Sequence, residues 1–191
     1  MLTFTLDTNC IIDVADNRPE ADGVIALAKA HAEGKADVAF VAVSASERQP
    51  GDRYLDSYSD FHGRLEALGL DHLTELKGIA YMDISYWDHS MWGSDEMTAR
   101  EEAIHRVLFP NIAFRWTDFA TSLKIDVNAI KDEKSKRWRN AFCDRQMFWA
   151  HDHGKRDIFV TSDANFQRLA GHTDFPNAVI FSPREAFKHI S

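Results

Sequence analysis

The chain has 191 residues, of which 45% are hydrophobic and 12% aromatic, and its formal net charge is −8. This composition is typical of a folded protein with one sizeable core and excludes an intrinsically disordered chain, while the acidity disfavours broad, non-specific binding to nucleic acid. No apolar run reaches the length of a membrane span and the first residues do not resemble a signal peptide, so we expect no membrane partner and a cytoplasmic location.

The first part of the chain alternates between strand and helix patterns. Residues 2–6 are apolar and rich in β-forming side chains, which predicts a central strand. A short helix is predicted over 10–14 and a longer one over 19–32, where Pro19 suits the first helical position. Residues 38–43 form a second apolar run and predict a second strand.

The middle of the chain is less regular. Apolar residues recur at helical spacing over 55–68, and a further helix is predicted over Asp95–Leu108. Between them, residues 79–84 predict a third strand. The stretch 111–130 has no clean period and gives no prediction.

The last part of the chain again alternates. A long helix is predicted over Lys136–His153, followed by a strand over Ile158–Val160, a short helix over 164–170 and a strand over 178–181. Ser182 begins a capping box that predicts a final helix. Strands alternating with helices predict an α/β fold with a mainly parallel sheet, and we expect one domain over residues 1–191.

Acidic residues follow the predicted strands at both ends of the chain. Asp7 comes directly after the first strand, and Asp163 follows the strand at Ile158–Val160. Because parallel strands end at a shared edge of the sheet, we expect these two carboxylates to lie close together. They would repel each other without a cation between them. Hydroxyl and amide neighbours are suited to orient the carboxylates: Thr8, Asn9, Thr161 and Ser162.

Two further acids are candidates for the same site. Glu47 lies just past the second predicted strand, and Asp144 lies within the long helix on the same face as Met147. A carboxylate on an otherwise apolar helix face is costly to bury without a partner. No His or Cys accompanies these acids at ligand spacing, so the oxygen ligands favour Mg²⁺ or Mn²⁺ over zinc.

Taken together, these motifs resemble a PIN domain. The matching features are a strand leading to Asp7-Thr8-Asn9, Glu47 after the second strand, Asp144 on a helix, and Thr161-Ser162-Asp163 after a late strand. The resemblance implies a three-layer α/β/α sandwich with a mainly parallel central sheet. It also implies a Mg²⁺- or Mn²⁺-dependent endoribonuclease in which Asp7, Glu47, Asp144 and Asp163 are the catalytic, metal-binding acids.

The resemblance covers roughly residues 1–48 and 140–185, so the region of about 50–135 is an enlarged middle without a counterpart. Many PIN domains are toxins of bacterial toxin–antitoxin pairs, which implies RNA as substrate and an antitoxin protein and a homodimer as candidate partners. Asn165 stands where some members carry a further acid, and both one and two metal ions remain open.

Other interpretations fit parts of the pattern. A phosphatase that forms an aspartyl-phosphate would usually carry a second acid where this chain has Asn9, which argues against that class. A catalytically inactive PIN-like scaffold that binds RNA or a partner stays open. Asp7 and Asp163 could each simply cap the following helix. The basic residues around Trp138 are interpreted as a solvated helix face, with a phosphate-contacting patch as the alternative: Lys134, Lys136, Arg137 and Arg139.

Overall fold

The computed structural model describes residues 1–46, 58–82 and 84–190. The strands in these ranges are β1 (Thr3–Leu6), β2 (Asp37–Val41), β3 (Thr74–Leu76), β4 (Gly78–Ile79), β5 (Ser90–Met91), β6 (Ile158–Val160) and β7 (Ile180–Phe181). The helices are α1 (Thr8–Ala15), α2 (Ala21–Ala32), α3 (Tyr58–Ala67), α4 (Asp95–Leu108), α5 (Trp116–Leu123), α6 (Lys136–His153) and α7 (Pro183–Phe187). Short 3-10 helices follow two strand ends, at Ala42–Ser46 and Ala164–Arg168.

The central sheet is five-stranded and all-parallel, with the order β3-β2-β1-β6-β7. Leu6 at the end of β1 is in register with Phe40 of β2 and with Val160 of β6. The chain moves outward in one direction from β1 to β3 and in the opposite direction from β6 to β7. The order of strands therefore reverses between β1 and β6, which is the place where open α/β sheets bind ligands at their carboxyl edge.

Side chains alternate between the two faces of the sheet, as the pleat requires. Phe4 and Leu6 of β1 join a core with residues of α1, α2, α3 and α7 on one face. Phe159 of β6 joins the core on the other face, with α4 and α6. Helices thus cover both faces, and the predicted three-layer α/β/α sandwich is confirmed.

Helix α6 is buried on more than one side. Its sheet-facing residues include Met147 and His151, and Nδ1 of His151 lies 3.0 Å from Oγ1 of Thr5 in β1. Helix α4 packs along its outer side. At the start of the helix, Nε1 of Trp138 donates to the carbonyl of Ala113 and Nη2 of Arg139 donates to the carbonyl of Ser46. Trp138 is only 2% exposed and Arg139 only 5%, so the solvated face predicted for this basic segment is wrong at these two positions. In the part of the chain that the structure describes, none of the helices is long and apolar enough to cross a membrane.

The prediction of a strand over 79–84 is also wrong. The third strand of the central sheet is β3, while Gly78–Ile79 pairs with Ser90–Met91 in a separate two-stranded sheet. The backbone N–H of Ile79 donates to Oε1 of Gln146 at 2.8 Å, because this segment packs against α6 instead of extending the sheet. The stretch 111–130, which gave no prediction, contains α5.

Candidate functional site

Asp7 is the first residue after β1 and lies where the strand order reverses. Its backbone N–H donates to the carbonyl of Val160 at 2.9 Å, which ties it to the end of β6. Its Oδ2 accepts hydrogen bonds from Oγ1 of Thr161 at 2.7 Å and from Nδ2 of Asn9 at 3.1 Å. Its Oδ1 is equally buried and has no hydrogen-bond partner among the described residues. The carboxylate is therefore held by one oxygen, and the other is left for a ligand.

Burial raises the pKa of Asp7 from 3.8 to about 6. The hydrogen bonds from Thr161 and Asn9 lower this pKa, whereas the negative charge of Asp163 raises it further. The residue is 1% exposed, so water does little to stabilise its charge. A bound cation would relieve both the desolvation of Asp7 and its repulsion from Asp163.

Helix capping explains only one of these two acids. Asp7 occupies the position before α1 but makes no side-chain capping hydrogen bond. Oδ1 of Asp163 accepts from the backbone N–H of Asn165 at 2.8 Å and so caps the 3-10 helix Ala164–Arg168. Asp163 is half-buried, and its own N–H donates to Oγ1 of Thr161 at 2.9 Å. Thr161 therefore connects the two acids that the sequence predicted to be neighbours.

Of the other two predicted acids, the structure describes Asp144 but not Glu47. Asp144 is half-buried on α6, one turn before Met147, whose sulfur lies 3.2 Å from Oγ1 of Thr8. This turn of the helix thus approaches the residue that follows Asp7, although no contact of Asp144 with Asp7 or Asp163 is established. Glu47 lies outside the described residues. The residue before it, Ser46, ends the 3-10 helix that follows β2, at the same edge of the sheet.

Asp13, a further buried acid, lies beside the candidate site and was not among the residues predicted from the sequence. It is 4% exposed, and its Oδ2 accepts from Oγ of Ser162 at 2.5 Å. Burial raises the pKa of Cys10, and the charges of Asp7 and Asp13 raise it further, so both acids lie near this thiol. One feature of the sequence does indicate its burial: Asp13 lies three residues after Cys10, and this spacing places it near the buried face of α1.

The structure brings Asp7 and Asp163 together, but no complete metal site is seen. Within 1–46, 58–82 and 84–190, no three His, Cys, Asp or Glu residues are grouped so that they could hold an ion. The oxygen donors and the unpartnered, buried Oδ1 of Asp7 nevertheless fit a hard divalent cation such as Mg²⁺ or Mn²⁺. Comparison with protein-family models, curated proteins and solved structures found no match. The function must therefore be inferred from the chemistry of these residues.

Proposed function

We propose that the chain is a Mg²⁺- or Mn²⁺-dependent endoribonuclease with its active site at the carboxyl edge of β1 and β6. In this proposal the metal ligands are drawn from Asp7, Glu47, Asp144 and Asp163. The observation that carries it is the buried carboxylate of Asp7, with one oxygen unpartnered, at the point where the strand order reverses. The proposal extends to a cytoplasmic location, where an RNA substrate and an antitoxin partner would be available.

The residues around Asp7 favour a fixed geometry. Thr161 and Asn9 both donate to Oδ2, so rotation of the carboxylate would break two hydrogen bonds. Oγ1 of Thr8 donates to Oγ of Ser44 at 2.8 Å, which holds the start of α1 against the 3-10 helix that follows β2. A divalent ion bound at this edge would supply the Lewis acidity that activates a water molecule and neutralises charge on the scissile phosphate.

The second candidate function is a catalytically inactive scaffold that binds RNA or a partner protein. Burying the charge of Asp7 beside that of Asp163 opposes folding, and a surface used only for binding does not need this arrangement. Perturbed carboxylates of this kind cluster at catalytic sites, although structural networks also produce them. This electrostatic arrangement favours the enzyme over the scaffold.

The direct test is cleavage of a single-stranded RNA with Mg²⁺ or Mn²⁺, compared between the wild-type chain and Asp7→Asn. We expect metal-dependent cleavage that a chelator stops, and a loss of about 100-fold or more in the variant. Asp157→Asn is the matched control, because Asp157 precedes β6 at the opposite edge of the sheet and is exposed. RNA that survives the wild-type protein, or equal cleavage by Asp7→Asn, would exclude the proposed nuclease site.

A further inference from the structure

The enlarged middle of the chain contains a cavity of about 580 Å³ beside α5 and α6. Its volume is within the usual range for small-ligand pockets. The walls are mainly aromatic and aliphatic, and they include Tyr81, Met82, Ile84, Phe114, Trp116 and Trp138. Asp7, Asp144 and Asp163, the proposed metal ligands that the structure describes, do not line this cavity, so its chemistry needs its own explanation.

The buried polar groups at the floor of the cavity are bonded to one another, and aromatic rings lie beside them. Arg145 is 1% exposed, and its Nε donates to Oε1 of Glu101 at 2.5 Å. The hydroxyl of Tyr81 donates to Oε2 of the same carboxylate at 2.5 Å. The Arg145 guanidinium also lies 4.4 Å from the centroid of the Phe114 ring. A flat aromatic group fits this floor better than an ion, since the buried charges already neutralise each other.

The mouth of the cavity is basic and apolar. Arg115 and Lys131 line it and are exposed, while Met82 is 71% exposed and Val127 48% exposed. Among the described acids nearby in sequence, Asp118, Asp126 and Asp132 do not line the cavity, while Asp83 lies outside the described residues. Cations at the rim and rings inside are complementary to a ligand with an anionic group outside and a planar ring inside. A nucleotide within a single strand has this arrangement.

The cavity also adjoins the candidate active site. The carbonyl of Ile84, a wall residue, accepts from Oγ of Ser46 at 2.8 Å, and Ser46 immediately precedes Glu47. Helix α6 reaches both places from different sides: Arg145 lies in the cavity floor, and Met147 contacts Thr8 beside the sheet. A strand of RNA at the carboxyl edge of the sheet could therefore place a neighbouring base in the cavity.

We propose that this cavity binds one unpaired base of single-stranded RNA, stacked against Phe114 and Trp116, with the adjoining phosphates on Arg115 and Lys131. The inference rests on the proposed nuclease function and adds the form of the substrate and the course of the strand. Because stacking on an aromatic ring is open to every base and the buried polar groups of the floor already bond one another, we expect little discrimination among the four bases.

The test measures binding of a fluorescently labelled oligoadenylate of about eight nucleotides, without divalent metal, so that binding is separated from cleavage. Trp116→Leu should weaken binding about tenfold or more, because stacking on an aromatic ring is lost. Lys131→Gln should reduce the slope of log K against log salt by about 0.7. The controls are Trp92→Leu, at a tryptophan that is 81% exposed, and Lys188→Gln, at an exposed lysine of the last turn; neither residue lines the cavity.

Binding that Trp116→Leu and Lys131→Gln leave within about twofold of their controls overturns the inference, as does failure of the wild-type chain to bind the RNA. If Trp116→Leu does not fold, Lys131→Gln and Arg115→Gln decide, since both positions are exposed. A chain that binds RNA through Trp116 but never cleaves it supports the cavity and excludes the nuclease. A chain that cleaves RNA with the same KM when Trp116 is replaced supports the nuclease and excludes the cavity.

Discussion

The hydroxyl of Thr161 donates a hydrogen bond of 2.7 Å to Oδ2 of Asp7. The same hydroxyl oxygen accepts from the backbone N–H of Asp163 at 2.9 Å. Because a hydroxyl has a single proton, the Asp163 amide fixes the direction in which Thr161 donates. Asp7 is therefore oriented by backbone geometry at the end of β6, and its Oδ1 is held in place before any ligand arrives.

Asp7→Asn should stabilise the metal-free protein at neutral pH. The folded-state pKa of Asp7 is about 6 and its ordinary value is 3.8, so the folded state binds more protons between these values and stability falls as pH rises through this window. Above pH 6 the penalty is fully present. Removing the charge should raise the free energy of unfolding at pH 7 by about 1–2 kcal/mol, less than the full shift because the new amide N–H lacks an acceptor.

Urea unfolding at pH 7 and at pH 3.5 measures this effect, and the stabilisation should be absent at the lower pH. Asp157→Asn is the control of opposite sign, because hydrogen bonds from Thr3 lower the pKa of Asp157 and its charged form supports the fold. Mn²⁺ should raise the melting temperature of the wild-type chain and not of Asp7→Asn. An Asp7→Asn protein that is less stable than wild type at pH 7 would contradict the expectation that the buried charge of Asp7 destabilises the fold.

Thr161→Val should remove the hydrogen bond to Asp7 with little change of shape. We expect the free energy of unfolding at pH 7 to fall by about 1–3 kcal/mol, because the charged acceptor is buried, and the pKa of Asp7 to rise further. Thr3→Val is a matched control, since Oγ1 of Thr3 donates to Asp157 at 2.8 Å and accepts from its backbone N–H at 2.8 Å on the exposed edge. Urea unfolding measures both variants. Equal losses of unfolding free energy in Thr161→Val and Thr3→Val would mean that the burial of the Asp7 charge does not strengthen the hydrogen bond from Thr161.

The sequence predicts elements well where the signals are local. Helices Asp95–Leu108 and Lys136–His153 have the predicted bounds, because a clear stop signal follows each segment, Pro110 after the first and Gly154 after the second. Strand β3 was missed because Thr74–Leu76 has no apolar run: it is an edge strand, and Glu75 in it binds His89. The more apolar residues that follow β3 pack against α6 instead of joining the central sheet, and this contact is evident only from the tertiary structure.

The residues of the candidate site also differ in how well the sequence predicts their positions. Asp7 and Asp163 could be predicted because an acid after a buried strand has a known position at the edge of a parallel sheet. Asp13 was missed because it lies within α1 and not directly after a strand, so only its helical spacing from Cys10 indicates that it is buried. The burial of Trp138 and Arg139 was also missed, because it depends on residues outside their helix: Trp138 donates to the carbonyl of Ala113 and Arg139 to the carbonyl of Ser46.

Two glycines should respond oppositely to alanine. A Cβ on Gly23 would lie 2.6 Å from the carbonyl carbon of Pro183, where α2 packs closely on α7. A Cβ on Gly63 in α3 would have, among the described residues outside its own helix backbone, no atom within 4 Å. Gly23→Ala should lower the free energy of unfolding by about 1–3 kcal/mol, because the backbone of α7 must move. Gly63→Ala should raise it by about 0.5–1 kcal/mol, because alanine favours the helix. Urea unfolding of both variants checks the pair, and a neutral Gly23→Ala would contradict the close packing.

Two buried histidines should destabilise the fold in mild acid. Burial lowers the pKa of His105 and of His151 from 6.5 to about 4, so the unfolded chain binds more protons in this window and stability is lost as pH falls. Each histidine should contribute up to about 1.4 kcal/mol per pH unit, whereas Asp7 acts with the opposite sign below pH 6. His151→Gln should therefore show a shallower fall in unfolding free energy from pH 6.5 to 4 than the wild-type chain. Parallel curves for the two proteins would show that the pKa of His151 is the same in the folded and the unfolded chain, which contradicts the expected effect of its burial.

The ion pair between Arg145 and Glu101 should be strongly coupled, because the two side chains are 1% and 0% exposed. Glu101→Gln should destabilise the protein by about 3–5 kcal/mol, since the guanidinium stays buried without its counter-charge. Adding Arg145→Met removes that unpaired charge, and the double variant should be more stable than the sum of the single changes allows.

A double-mutant cycle from urea unfolding measures the coupling. The matched control is the exposed pair Lys29–Glu33, with a separation of 3.9 Å, for which we expect a much weaker coupling because solvent screens the two charges. A coupling as small at Arg145–Glu101 would contradict a neutralised cavity floor. Arg145 would then have charge to offer a phosphate, and RNA binding should fall in Arg145→Met. If the pair is coupled as expected, Arg145→Met/Glu101→Gln should still bind RNA through Trp116, because stacking uses the aromatic ring and not the charges of the floor.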